Sequence, residues 1–226
     1  MSPKKHTNRG YDDELRDLRE HILRMAGRVE QMIADSVRAL ATSDTELASA
    51  TIAADELVNV AELEADEMCL QLLARRQPMA GDLRFITLAL KMVTDLERIA
   101  DAAVSISKRV ILLNGEPQLR SYSGVFRMAE IAQSMVRDAI DAFVGRDAEL
   151  AADVIARDDE VDRLYHVEFR ALLALMASDP GAIERGVHTQ SVTKYLERIA
   201  DHGTNLAELV QFMVNGKDMR HGGLRG

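Results

Sequence analysis

The hexapeptide LERIAD occurs twice in this chain, at residues 96–101 and again at residues 196–201. The similarity goes further, because a shift of 103 residues aligns another set of identical positions. These are Ala39/Ala142, Asp44/Asp147, Glu46/Glu149, Leu47/Leu150, Ala48/Ala151, Ile52/Ile155, Ala53/Ala156, Asp55/Asp158 and Val58/Val161. Two sets of matches indicate an internal duplication, so we expect a fold with two similar halves.

The spacing of apolar residues predicts helices rather than strands. From Tyr11 to about Ala41 they recur at steps of three and four residues. They are Leu15, Leu18, Ile22, Met25, Val29, Met32, Ile33 and Val37. The chain is 47% hydrophobic but only 4% aromatic and has no Trp, which is typical of long packed helices.

A few turns rich in glycine, proline and capping residues divide the chain. The predicted helices cover residues 11–41, 46–76, 82–113, 119–144, 148–177 and 180–214. Asp82 and Asp179 are expected to cap the third and sixth helices, and Asn114, a residue that tolerates left-handed backbone, to end the third. The predicted fold is all-α, with six long helices in two tandem three-helix bundles, residues 11–114 and 118–215. Residues 1–10 and 216–226 are predicted to be flexible tails.

Charge and cysteine content exclude several classes of function. The net charge of −9 and the pI of about 5.2 argue against nucleic acid as a partner. The single cysteine, Cys69, excludes internal disulfides and is expected to be a small buried apolar residue in a protein of a reducing cytosol. The sequence has no signal-peptide pattern and no apolar stretch of about 18 residues, so no membrane span is expected.

Each LERIAD segment carries two acidic residues one helical turn apart, Glu97 with Asp101 and Glu197 with Asp201. Such neighbours repel each other by a few tenths of a kcal/mol. On the third helix they are predicted to lie opposite the apolar stripe, where solvent reaches them. The simplest interpretation is a solvated pair of charges.

Helix geometry places further oxygen-bearing residues beside these pairs. In two antiparallel helices, residues equally far from the turn lie at the same level, because both helices rise about 1.5 Å per residue. Asp55 and Asp101 are equidistant from Pro78, and so are Asn59 and Glu97. In the second half, the turn at Asp179 and Pro180 lies midway between Asp158 and Asp201, and between Asp162 and Glu197.

Each half is therefore expected to gather one patch of oxygen ligands. Clustered carboxylates repel each other unless cations bind among them, and oxygen ligands favour hard cations or iron. We favour metal binding over simple surface charge for both patches. His202, next to Asp201, is interpreted as an exposed histidine rather than an auxiliary ligand.

The repeated LERIAD, the segment RRQPMAGDLRFI at residues 75–86 and the duplicated three-helix arrangement resemble the PhoU family, bacterial regulators of phosphate uptake. The resemblance extends from about residue 14 to residue 214. It implies a homodimer or larger oligomer without catalytic activity. It also implies negative regulation of the phosphate-starvation response at the cytoplasmic side of the membrane. The implied partners are the ATPase subunit of the phosphate ABC transporter and a sensor histidine kinase.

The resemblance also implies multinuclear iron or zinc clusters held by paired acidic motifs. In this sequence those motifs fall on Asp55 and Asn59 with Glu97 and Asp101, and on Asp158 and Asp162 with Glu197 and Asp201. Asn59 departs from the acidic pattern, so the first site is expected to hold metal less tightly. The segment RRQPMAGDLR is either a simple turn or a docking surface.

Two other functions remain open at this stage. A carboxylate-bridged iron enzyme or iron-storage protein also uses oxygen ligands on facing helices, although its usual Glu-x-x-His pairs do not occur here. A purely structural bundle would bind no metal. Nucleophilic catalysis is not supported, because neither a nucleophile elbow nor a phosphate-binding glycine loop is present.

Overall fold

The computed structural model describes residues 9–76, 78–115, 119 and 122–216. It contains α1 Arg9–Thr42, α2 Thr45–Arg75, α3 Ala80–Leu113, α4 Ser123–Gly145, α5 Ala148–Ser178 and α6 Ile183–Asn215. A short 3₁₀ turn, Pro180–Ala182, leads into α6. These residues include no strand, which confirms the predicted all-α class. In the parts of the chain that the structure describes, no helix is long and apolar enough to cross a membrane.

Aspartates at the turns define where three of the elements begin. The Asp44 carboxylate accepts a hydrogen bond from the Leu47 amide at the start of α2. Its counterpart Asp147 accepts two such bonds at the start of α5. Asp179 accepts one from the Gly181 amide, so it caps the short 3₁₀ turn, whereas α6 itself was predicted to begin at Pro180 and begins at Ile183. Side-chain caps of this kind satisfy first-turn N–H groups that have no partner within the helix.

Several predicted helix ends were wrong. Asp82 does not cap α3, because the helix already begins at Ala80, after Met79 in extended backbone. Pro78 disfavours helical backbone at the residue before it but not at the residues after it, so the chain can enter α3 at Ala80. Asn114 keeps a right-handed backbone, with φ −67°. α4 begins at Ser123 instead of Leu119.

The predicted tails lie mostly outside the described residues. Arg9 and Gly10, assigned to the first tail, belong to α1. Residues 1–8 and 217–226 are not among the described residues.

The core runs through both halves of the molecule. Helices α1, α2 and α3 contact one another, as do α4, α5 and α6, while α3 against α6 and α1 against α4 join the two groups. The apolar stripe predicted for α3 is buried along its whole length, and its members are Met92, Leu96, Ile99, Ala103, Ile106, Val110 and Leu113. The division into two units at residues 114–118 stays a prediction.

Cys69 is a buried core residue, as predicted. Its Sγ lies 3.9 Å from the carbonyl oxygen of Ile86 on the facing helix. Burial, with a smaller contribution from Asp66, raises the pKa of the thiol to about 12. The thiol is therefore protonated and unreactive at neutral pH.

Candidate metal centre

Four carboxylates of the second half act on one another across α5 and α6. Burial first, and then the charges of Glu197, Asp158 and, more weakly, Asp162, raise the pKa of Asp201 to about 6. Burial and the charge of Asp162 also raise the pKa of Asp158, while the nearby Thr204 side chain opposes that shift. Asp158 and Asp201 therefore lie near enough across α5 and α6 for their charges to interact, and the patch carries several negative charges.

The first half forms a similar patch on α2 and α3. Burial, together with the charge of Asp101, raises the pKa of Asp55, whereas a hydrogen bond from Asn59 lowers it. Asn59 Nδ2 lies 3.2 Å from Asp55 Oδ2. The Glu97 side chain is only 16% exposed, so it is less accessible than the sequence suggested. Burial and Asp101 raise its pKa as well.

Each patch has a basic residue beside its glutamate. Arg98 Nε lies 3.4 Å from Glu97 Oε2, and Arg98 Nη1 lies 3.5 Å from Asp101 Oδ2. In the second half, Lys194 Nζ pairs with Glu197 Oε2. Arg98 is adjacent to Glu97 and three residues before Asp101, and Lys194 is three residues before Glu197. These spacings within one helix could have been read from the sequence. The two basic residues compensate only part of the charge, since the pKa values of Glu97 and Asp201 stay raised.

Glu62 is an acidic neighbour of the first patch that sequence reasoning missed. Burial and Asp66 raise its pKa, with a smaller contribution from Asp101, and its own charge acts on Glu97. Glu62 follows Asn59 by three residues in α2, so the helical period could have placed it on the same face. It supplies a carboxylate where Asn59 lacks one.

His202 was wrongly interpreted as an exposed histidine. It is mostly buried, and its Nδ1 lies 2.8 Å from Asp95 Oδ1 on α3. Asn205 Nδ2 donates to the same oxygen at 3.2 Å. Both residues therefore join α6 to α3.

The oxygen donors of the two patches are of the kind that bind metal ions, although they do not surround a common point. Among the described residues, no three histidine, cysteine, aspartate or glutamate side chains lie close enough together to hold an ion as they stand. The carboxylates nevertheless act on one another through space, and the pKa values of Asp55, Asp158 and Asp201 are raised. A bound cation would offset that repulsion. The role of Asp55, Asn59, Glu97, Asp101, Asp158, Asp162, Glu197 and Asp201 as ligands stays a prediction.

Completing the acidic set of the first patch should strengthen it. We expect Asn59→Asp to raise the metal retained by the first patch, measured by elemental analysis after dialysis in an Asp201→Ala background. An added carboxylate supplies a charged oxygen ligand in place of a neutral one. Asn114→Asp, the same change at the end of α3, is the control and should leave metal content unchanged. Equal metal loss from Asp101→Ala and Asp201→Ala single variants would contradict the predicted difference between the patches.

Two copies of a three-helix unit, each with an acidic patch on its last two helices, define a class of duplicated helical-bundle proteins. A family model described as the PhoU domain matches this chain twice, at residues 22–110 and 125–210. The two matches confirm the duplication inferred from the sequence. The chain belongs to the PhoU family.

Individual relatives agree with this assignment over nearly the whole chain. The chain is 42% identical to the phosphate-specific transport system accessory protein PhoU homolog of Pseudomonas putida, over 97% of this chain and 86% of the relative. The crystal structure of PhoU from Pseudomonas aeruginosa matches with a TM-score of 0.90 and 42% identity, over 92% of this chain and 100% of that one. The phosphate transport system regulatory protein PhoU from Streptococcus pneumoniae matches with a TM-score of 0.86 and 28% identity, over 92% and 99% of the two chains.

Proposed function

We propose that this chain is a non-catalytic regulatory adaptor that serves as an accessory protein of phosphate transport. In this proposal it represses the phosphate-starvation response, acting at the cytoplasmic face of the membrane. It contacts the ATPase subunit of the phosphate ABC transporter and a sensor histidine kinase, and so affects transcription indirectly. Membership of the PhoU family supports the proposal, as do the accessory and regulatory roles in the names of its relatives.

The structural observation that carries the adaptor role is apolar surface on the outer helices. On α2, Leu57, Val60 and Leu63 are exposed at three-residue spacing, and Leu63 is 69% exposed. On α5, Val167, Phe169 and Leu173 are also exposed. Grouped apolar side chains on a surface mark contacts with other proteins. A second copy of the chain, giving a homodimer, and the two partner proteins are the proposed occupants.

We also propose that the two patches bind iron or zinc as multinuclear carboxylate clusters. A bound cation would tie α2 to α3 and α5 to α6. Because the proposed partner surface lies on α2 and α5, metal would stiffen the helices that present it. The donor set and the raised pKa values support this proposal.

Iron binding or storage is the second candidate function, because oxygen ligands on facing helices also suit it. Elemental analysis separates the two functions. A regulatory cluster requires a small fixed number of ions per chain and no ferroxidase activity. Continued uptake of iron far above the number of ligands, with oxidation of Fe²⁺, would support storage.

The adaptor role is tested with a charge placed on the apolar surface. We expect Leu63→Glu to fold normally but to lose capture of the transporter ATPase subunit or the kinase in co-purification. A strain in which the variant replaces the wild-type gene should then express a phosphate-starvation reporter in phosphate-rich medium. Leu112→Glu, at another exposed leucine on α3, is the matched control and should behave as wild type. Wild-type protein that captures neither partner, with the reporter unaffected by gene deletion, would contradict the proposal.

A further inference from the structure

Four arginines line one cavity at the junction of the two halves. The cavity has a volume of about 490 Å³, and Arg16, Arg19, Arg84 and Arg146 all border it. Arg16 and Arg19 come from α1, Arg84 from the first turns of α3, and Arg146 from the turn between α4 and α5. The chain has a net charge of −9, so a group of four positive charges around one cavity is unusual for its surface.

Arg19 is held by aromatic rings and not by an acid. Its guanidinium lies 5.1 Å from the ring centre of Phe143 and 5.8 Å from that of Phe85. Burial and the charge of Arg146 lower its pKa, so the neighbouring arginine repels it. Stacking on a ring face leaves the edge N–H donors of a guanidinium available to a ligand.

Arg84 is held in the same way on the other side of the cavity. Its guanidinium lies 5.6 Å from the ring centre of Phe212 on α6. It also packs against Gly216, where an added Cβ would come within 3.0 Å of Arg84 Nη1. Within the described residues, no carboxylate forms an ion pair with Arg19, Arg84 or Arg146.

The acidic groups near the cavity balance only part of this charge. Arg16 lies at the rim, where its side chain is mostly exposed and pairs with Asp13 at 2.9 Å and more loosely with Asp17 and Glu20 at 3.9 Å. Asp82 also lines the cavity and adds one negative charge there, beside Tyr11, whose pKa burial and Asp82 raise to about 12. Three arginines therefore face the space without an acid of their own. The first turn of α3, which has no side-chain cap, adds the positive end of a helix dipole.

We infer that this cavity binds a phosphate-type oxyanion, either inorganic phosphate or the phosphate group of a small monoester. Planar guanidinium groups match the oxygens of a phosphate group and bind them by charge-assisted hydrogen bonds. A bound dianion also removes the repulsion between Arg19 and Arg146. The cavity lies between the halves and involves none of the proposed metal ligands, so the inference does not depend on the proposed partners or metals.

Arg146→Asn tests the inference without threatening the fold. Arg146 has a left-handed backbone, with φ 52°, and asparagine tolerates that conformation better than arginine does. We expect the affinity for inorganic phosphate, measured by isothermal titration calorimetry at constant ionic strength, to fall by about tenfold or more. The melting temperature of the unliganded variant should stay the same or rise.

Matched controls separate this site from general charge and from the acidic patches. Arg38→Ala removes one positive charge at the far end of α1, where Arg38 pairs with Asp35, and should leave the affinity within about twofold. Asp201→Asn should also leave it unchanged, whatever becomes of metal binding. Parallel titrations with inorganic phosphate and with AMP identify the source of the phosphate group, and binding of either that depends on Arg146 supports the inference.

Three outcomes would overturn the inference. One is that neither phosphate nor AMP binds at concentrations up to about 10 mM, because a larger dissociation constant would mean negligible affinity. Another is equal binding to wild type and Arg146→Asn. The third is Arg146-dependent binding of a polyglutamate peptide alone, which would assign the cavity to an acidic protein segment.

Discussion

Replacing Asp201 with asparagine is expected to weaken metal binding and, in the metal-free protein, to increase stability. The pKa of Asp201 is raised to about 6, because burial and three neighbouring carboxylates disfavour its charge. A metal ion needs that charge, whereas the metal-free fold is destabilised by it. The same residue should thus act in opposite directions in the two states.

The loss of metal affinity should be large. Even groups that only orient a metal ligand contribute roughly 10- to 100-fold to affinity, so loss of a charged ligand should cost about 100-fold or more. Competition with a chelator of known affinity measures it. Asp153→Asn, an exposed position on α5, is the control and should retain wild-type affinity. Unchanged affinity in the Asp201 variant would remove Asp201 from the ligand set.

The gain in stability should depend on pH. The pKa of Asp201 is about 6 in the folded protein, against 3.8 for the free group. Between these values the folded state binds more protons than the unfolded state, so the free energy of unfolding falls as pH rises from about 4 to 6. Above pH 6 the whole penalty is present. After allowance for solvent screening, Asp201→Asn should recover on the order of 1 kcal/mol at pH 7.

Urea unfolding of metal-free protein at pH 5 and pH 7 checks this effect. The difference between the variant and wild type should be larger at pH 7. Because the neighbouring carboxylates titrate together with Asp201, part of the pH dependence should persist in the variant. A variant less stable than wild type at pH 7 would show that the charge of Asp201 stabilises the fold.

Truncation of Phe143 should produce the largest loss of stability. Phe143 is 1% exposed, its ring stacks on Phe85 with centres 6.2 Å apart, and Arg19 lies over both rings. These contacts join α4 to α3 and α1, and so connect the two halves. Phe143→Ala should lower the free energy of unfolding by about 3 to 5 kcal/mol, since it removes buried surface and leaves a cavity.

Two further variants show whether burial at the junction is the cause. Phe143→Leu keeps most of the volume and should cost less than about 1.5 kcal/mol. Phe126→Ala, at a partly buried ring on the same helix, should cost clearly less than Phe143→Ala. The comparison uses urea unfolding of metal-free protein. Losses of the same size at positions 126 and 143 would contradict a special role for the junction.

Much of the site could be predicted because it depends on local geometry. The rise of a helix is fixed, so Asp55 and Asp101, or Asp158 and Asp201, become neighbours once the turn between two helices is placed. Asn59 and Glu97 were also predicted to lie at the same level. In the structure, however, the Asn59 side chain forms its hydrogen bond with Asp55 on its own helix. Glu62 was within reach of the same reasoning and was overlooked because it lies outside the repeated motif.

The sequence by itself determined the helices, the duplication and the level at which residues of one hairpin meet. Only the tertiary structure decided how the halves face each other. His202 meets Asp95 from 107 positions away in the sequence, and Arg19 meets Phe143 on a different half. Helical period and rise act within one or two helices, whereas the rotation of one helix against another depends on how apolar side chains of all six fill a common core.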